Sequence, residues 1–194
     1  MPEHDPLIRR VLGGNYLELT LLRLIVDEKP EQQVSVKLSI AERGGPLEVE
    51  GTGVGLVDAI YAALLARYGR EVQSLHSIQM VEFTVSAELA TKNGKSGVDA
   101  VAKVEIHVVN SEGRRFAFAD SSRSMTTSAA RAVLSMVQYF INAERAFITL
   151  DHARRDASER GREDLVSRYT AEMAEVVEST SYAEVIDAIR KRLR

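Results

Sequence analysis

Cysteine is absent from this chain of 194 residues. The absence excludes disulfide bonds, metal sites built on thiolates and cysteine nucleophiles, and it is typical of a cytoplasmic protein. The sequence also has no apolar run near the ~18 residues that a membrane-spanning helix needs, so we expect no membrane partner. Residues 1–5 (MPEHD) are polar and acidic and do not have the pattern of a signal peptide.

An excess of basic charge is missing as well. Lys and Arg total 25 against 28 Asp and Glu, which gives a formal net charge of −3. Proteins that bind nucleic acids usually carry a basic surface, so the balance argues against a nucleic-acid partner. The four histidines, at positions 4, 76, 107 and 152, are scattered singly and are interpreted as solvated or sheet-face side chains. We therefore expect neither a metal site nor a cofactor.

Apolar residues recur in the same order in two successive segments. Strand-like alternation covers 16–26, 34–40 and 47–49 and is followed by a helical pattern at 57–68. The order repeats at 81–89, 104–108, 116–118 and 125–147, a period of roughly 68 to 70 residues. The pattern predicts an α+β fold of two repeated β-β-β-α units, packed as a two-layer domain because neither unit can bury its apolar surface alone.

These patterns divide the chain into three parts. Residues 1–14 are predicted to be a lead-in, and residues 15–148 the domain, with unit one at 15–70 and unit two at 71–148. Residues 149–194 are predicted to be a helical C-terminal extension. Within it Leu165, Tyr169, Met173 and Val176 recur at helical spacing, and a last amphipathic helix is predicted near 181–193. Such helices dock either on their own domain or on a partner subunit.

Three alternating glycines, Gly51, Gly53 and Gly55, separate the third strand from the first long helix. Glycine permits a close approach of the backbone, and a helix N-terminus suits an anionic group such as an amino-acid carboxylate. The spacing matches neither the dinucleotide-binding fingerprint nor a Walker loop. By itself the pattern fits either a ligand-binding junction or a tight turn.

Three short motifs carry a resemblance to the C-terminal regulatory domain of 2-isopropylmalate synthases. Residues 50–59 (EGTGVGLVDA) resemble its E-G-x-G-N-G-P-x-x-A junction, and residues 124–133 (SMTTSAARAV) resemble its S-I-T-T-A-S-x-R-A-V motif. Residues 97–100 (GVDA) resemble its G-x-D-A segment. The motifs occur in the family's order, and the resemblance covers about residues 16 to 142.

The resemblance implies a dimeric domain of two β-β-β-α units that binds the end-product amino acid near its dimer interface. In the family this domain follows a TIM barrel, but only about fifteen residues precede the first predicted strand, and the barrel's H-x-H metal motif is absent. The chain is therefore expected to be a free-standing, non-catalytic, amino-acid-sensing domain of branched-chain amino-acid biosynthesis. The expected partners are a second copy, a small amino acid or 2-oxo acid, and a separately encoded catalytic subunit.

The candidate effector-binding residues follow from the two junctions. They are Gly53, Gly55, Ala59, Asp120, Ser124 and Thr126. The sequence departs from the family at Leu56, where the family has proline, and at Phe118 and Asp120, which align with glycines of its second junction. Because losing glycine either fills or reshapes a pocket, the alternative is a structural interaction module whose pocket is closed by Phe118 and Leu56.

Catalytic interpretations of the polar residues are weaker. An Asp in the first turn of a helix, such as Asp58, usually stabilises the helix dipole. Ser124 lies in no G-x-S-x-G nucleophile elbow and is interpreted as a helix cap. The sequence thus predicts no catalytic residues.

Overall fold

The computed structural model describes residues 4–87 and 101–178. They form an α+β fold with two three-stranded antiparallel sheets, each followed by a helix, as predicted. The elements are α1 (Asp5–Leu12), β1 (Thr20–Asp27), β2 (Val34–Glu42), β3 (Gly45–Gly53), α2 (Leu56–Tyr68), β4 (Gln79–Ala87), β5 (Ala102–Val109), β6 (Arg115–Ser122), α3 (Met125–Glu159) and α4 (Glu163–Val177).

The duplication is visible in the strand order and register. The sheets have the orders β1-β2-β3 and β4-β5-β6, with β2 and β5 in the middle. Each first strand has an irregular register near its start, between Leu21 and Arg23 in β1 and between Met80 and Glu82 in β4. The two units therefore share strand order, pairing direction and even a local irregularity, as a β-β-β-α repeat requires.

Helix α3 lies at the centre of the molecule and contacts both sheets and the other three helices. Alternate residues of the middle strands are buried, because one face of each sheet packs on the helices. The first half of α3 is rich in small residues, and Ala129, Ala130 and Ala132 are fully buried. These alanines allow close packing on several sides at once.

The start of β1 differs from the prediction. The alternating pattern begins at Tyr16, but β1 begins at Thr20. The Leu17 N–H donates to Oδ1 of Asn142 (2.8 Å), and the Leu19 N–H donates to an oxygen of Gln138 (2.7 Å). Because side chains of α3 bind these backbone groups, the segment runs along α3 instead of joining the sheet.

The segment predicted as a lead-in contains α1, which packs on α3 and α4. Ile8 is fully buried and Leu12 nearly so. The hydroxyl of Tyr16 donates to Oδ1 of Asp5 at 2.7 Å, and Asp5 also accepts from Arg9 at 2.7 Å. Apolar burial and this polar cluster together attach α1 to the domain.

Helix α3 extends beyond its predicted end at Phe147 and reaches Glu159. The added segment is charged, and ion pairs one turn apart support it, including those of Asp151 with Arg154 and Arg155. The predicted helix containing Tyr169 is present as α4. The last predicted helix, and the end of the strand predicted at 81–89, lie outside the described residues. In the described ranges, none of the helices is both long and apolar enough to cross a bilayer.

A candidate ligand-binding cleft between the repeat junctions

The two junctions end at equivalent helix caps. Gly55 precedes α2 with an extended backbone (φ −155°), and Ser124 precedes α3. The Ser124 hydroxyl accepts the N–H of Thr127 at 3.2 Å, as an N-cap residue commonly does. Counting from the caps, Ala59 corresponds to Ser128.

A cleft of about 760 Å³ opens between the N-termini of α2 and α3. Its volume is in the range of small-molecule sites. Its walls come from both units, and the side chains are mostly apolar. The lining residues are Val26, Glu28, Gly55, Leu56, Val57, Asp58, Phe83, Met125, Thr126 and Ala129.

Two carboxylates face this largely apolar cleft. Oδ2 of Asp58 accepts the N–H of Val54 at 2.9 Å and so holds the loop before α2. Glu28 lies on the turn after β1 and is exposed. No cation lies within 4.0 Å of the Glu28 carboxylate in residues 4–87 and 101–178. Glu28 is therefore available to a positively charged group in the cleft.

Two of the six candidate effector residues, Gly55 and Thr126, line the cleft. The other four do not line it. Ala59 is fully buried under β3, and Gly53 is the last residue of that strand. Ser124 caps α3, and Asp120 lies on β6.

Gly51 and Gly53 lie against the backbone of α2. A Cβ atom at Gly51 would lie 2.4 Å from the carbonyl oxygen of Ala59, and one at Gly53 would lie 2.5 Å from the Ala59 nitrogen. These distances are far below van der Waals contact, so the two glycines let the helix lie directly on the strand. At Gly55, by contrast, a Cβ atom would meet nothing within 4 Å.

The second junction is built with side chains where the first has glycines. Gly51 pairs with Val36 of β2, the middle strand of the first sheet, and Asp120 pairs with Val104 of β5, the middle strand of the second. Asp120 is therefore the counterpart of Gly51. Ser122 is in the same way the counterpart of Gly53, and its Oγ accepts the hydroxyl of Ser128 at 2.8 Å.

Oδ2 of Asp120 is buried and has no hydrogen-bond partner in the described part of the chain. Phe118 is the counterpart of Val49, not of a glycine. It is 4% exposed and packs on Tyr139 and Phe140, so it does not close the cleft.

Sequence reasoning missed Val26 at the end of β1, Glu28 on the turn after it and Phe83 in β4, which lie outside the junctions. It also did not single out Met125 within the second junction. Strand alternation placed Phe83 on an apolar face, but it could not show that this face of β4 stays open. Phe83 and Val85 pair with the buried Ile106 and Val104, yet they are 47% and 40% exposed. In the described residues no group of three His, Asp or Glu side chains is arranged to hold a metal ion.

The fold and the cleft define a class of protein: a duplicated β-β-β-α domain with a ligand-sized cleft between its equivalent helix N-termini. The model of one family, the LeuA allosteric (dimerisation) domain, matches residues 7–141. The chain belongs to this family, which confirms the resemblance seen in the motifs, and residues 7–141 are a regulatory, non-catalytic domain. A search of curated proteins finds no match.

Proposed function

We propose that this protein is a dimeric, non-catalytic sensor of a small apolar amino acid, leucine in the first instance, in branched-chain amino-acid biosynthesis. The observation that carries the proposal is the cleft between the N-termini of α2 and α3. A ligand in this cleft contacts both repeat units and would bias their relative position. A separate catalytic subunit is the proposed target of regulation.

The polarity of the cleft fits a zwitterion. The first turn of α3 contains no acidic residue, so its partial positive charge and N–H groups favour a carboxylate, whereas Asp58 occupies the first turn of α2. Glu28 supplies a negative charge for an ammonium group. Between them, Leu56, Phe83 and Met125 offer apolar surface to an aliphatic side chain.

An open apolar surface beside the cleft supports the proposed dimer. Phe83 and Val85 are exposed on β4, which is an edge strand of its sheet, and Met125 is 49% exposed at the start of α3. Large apolar groups clustered at an edge favour a protein–protein contact. A second copy covering them would also enclose the cleft, since Phe83 and Met125 line it.

The first test measures the melting temperature with leucine, isoleucine, valine and lysine. A ligand at one hundred times its dissociation constant stabilises the native state by about 2.7 kcal/mol. For a domain of this size the melting temperature should rise by roughly 5–10 °C. The aliphatic amino acids should produce the shift, and lysine should not, because its second ammonium group would enter an apolar wall.

Two pairs of variants locate the site. Gly55→Leu should abolish the shift because its side chain enters the cleft without touching the fold, whereas Gly44→Leu, at an equally open hairpin position, should not. Glu28→Gln should weaken binding about tenfold through loss of the ammonium contact, and Glu31→Gln in the same turn should leave it unchanged. Equal binding by Gly55→Leu would refute the site. If no amino acid shifts the melting temperature at millimolar concentration, the structural interaction module becomes the better account.

A further inference from the structure

A second groove lies at the other end of the molecule. It has a volume of about 450 Å³ and is formed by the end of α1, the β2–β3 hairpin and the middle of α3. Arg145, which lines it, is twenty residues along α3 from Met125 of the cleft, or about 30 Å at 1.5 Å per residue. The lining residues are Leu12, Asn15, Leu17, Glu42, Arg43, Arg145, Ile148 and Thr149.

Two arginines line this groove from different elements. Arg43 lies at the hairpin and is exposed, and Arg145 lies on α3 and is half-buried. In the described ranges, no carboxylate oxygen lies within 4.0 Å of either guanidinium. The one acid of the groove, Glu42, accepts the hydroxyl of Tyr68 at 3.3 Å and faces Arg67 at 3.7 Å. The groove therefore carries positive charge that the fold does not neutralise.

The floor between the arginines is apolar. Leu12 and Leu17 are buried, at 7% and 3% exposure, and Ile148 packs against the same core. Asn15 adds a polar side chain at the rim. An anion without an apolar part would bind the guanidinium groups but leave the apolar floor exposed to water. An acid with a short aliphatic body would bind the guanidinium groups and also cover the floor.

We propose that this groove is a second binding site, for a small organic acid. Arg43 and Arg145 bind its carboxylate, and Leu12, Leu17 and Ile148 hold its aliphatic body. The planar guanidinium matches a carboxylate with two parallel hydrogen bonds. The volume suits one small molecule. The site is independent of the amino-acid cleft because the two share no lining residue.

The test is a titration of the full ¹⁵N-labelled chain, followed by amide shifts. The probes are butanoate, butanamide and inorganic phosphate. Butanoate should shift the amides of Asn15 and Thr149 with a millimolar dissociation constant, while the neutral butanamide should not. Phosphate should bind at least about tenfold more weakly than butanoate, because it leaves the apolar floor uncovered.

Charge-removing variants decide whether the arginines bind the acid. Arg43→Gln and Arg145→Gln should each weaken butanoate binding about tenfold or more, since each loses a charge-assisted contact. Arg145→Lys should lie between Arg145→Gln and the unchanged protein, because it keeps the charge but not the paired hydrogen bonds. Arg131→Gln removes the same charge from an exposed position of α3 outside both sites and should change nothing. Melting temperatures of the unliganded variants check that each is folded.

Four results would overturn the proposal. They are equal shifts with butanoate and butanamide, phosphate binding as tight as butanoate, unchanged butanoate binding in both glutamine variants, and no shift at 20-fold the expected millimolar constant. The same spectra report the cleft through the amides of Gly55 and Thr126. Gly55→Leu should leave butanoate binding intact, so failure of the amino-acid site and failure of this groove can be told apart.

Discussion

Substitution by alanine should destabilise the protein at the two strand glycines, Gly51 and Gly53, but have little effect at the cap glycine, Gly55. Gly53→Ala places a Cβ atom 2.5 Å from the Ala59 nitrogen, where ordinary contact begins at 3.4 Å. Helix α2 would have to move by about 0.9 Å against a packed core, and such overpacking costs about 1–3 kcal/mol. Gly55→Ala meets open space on an extended backbone that any residue adopts.

The expected magnitudes follow from these contacts. Replacing glycine by alanine also restricts the unfolded chain, which stabilises the folded state by about 0.4–1 kcal/mol and partly offsets the overpacking. The free energy of unfolding of Gly53→Ala should therefore be lower by about 1–2 kcal/mol. The melting temperature would fall by roughly 2–8 °C. For Gly55→Ala the same gain is offset by the weaker capping of alanine, and the net change should stay within about 0.5 kcal/mol.

Urea unfolding followed by circular dichroism measures both variants. The protein concentration must be held constant, because the proposed dimerisation would make the apparent stability concentration-dependent. Gly51→Ala should behave like Gly53→Ala, since its Cβ atom would lie 2.4 Å from the Ala59 oxygen. The reasoning is refuted if Gly53→Ala is as stable as the unchanged protein, or if Gly55→Ala loses as much.

Two further predictions concern the dimer and pH. Val85→Glu should shift the sedimentation coefficient from that of a dimer to that of a monomer, because it buries a charge in the proposed contact. Thr84→Glu, on the opposite face of β4, should leave the dimer intact. If the two variants form dimers of equal stability, the proposed interface is wrong. Burial, and then the hydrogen bond to Asp5, raise the pKa of Tyr16 to about 12 from an ordinary value near 10. The stabilisation that comes from this raised pKa is present below pH 10 and is lost as the pH rises from 10 to 12. Tyr16→Phe should therefore make the urea midpoint fall less steeply between pH 10 and 12. An unchanged slope would exclude Tyr16 as the cause of the fall.

Much of the fold could be predicted because burial of alternate residues is a local property. In β2, Val34, Val36, Leu38 and Ile40 alternate with polar residues, and all four are buried. The helical spacing that includes Tyr169 and Met173 likewise predicted α4. The start of β1 could not be read in this way, because the partners of Leu17 and Leu19 are side chains of Asn142 and Gln138, more than one hundred residues away.

The candidate site was predicted only in part. The motifs located both helix starts, and Gly55 and Thr126 line the cleft. Residue type alone could not separate the roles of neighbouring glycines: Gly53 faces helix backbone, whereas Gly55 faces open space. Nor could it show that Phe118 packs in the core while Phe83 remains exposed, since both belong to alternating strands.

By itself the sequence determined the repeated β-β-β-α order and the family, because periodicity and short motifs are carried by neighbouring residues. Only the tertiary structure decided which groups meet. The turn after β1 and the middle of β4 come from different units and complete the cleft with Glu28 and Phe83. Helix α3 is long enough to line this cleft near its start and the arginine groove about 30 Å further on. Both sites join residues distant in the chain, and packing rather than local pattern brings such residues together.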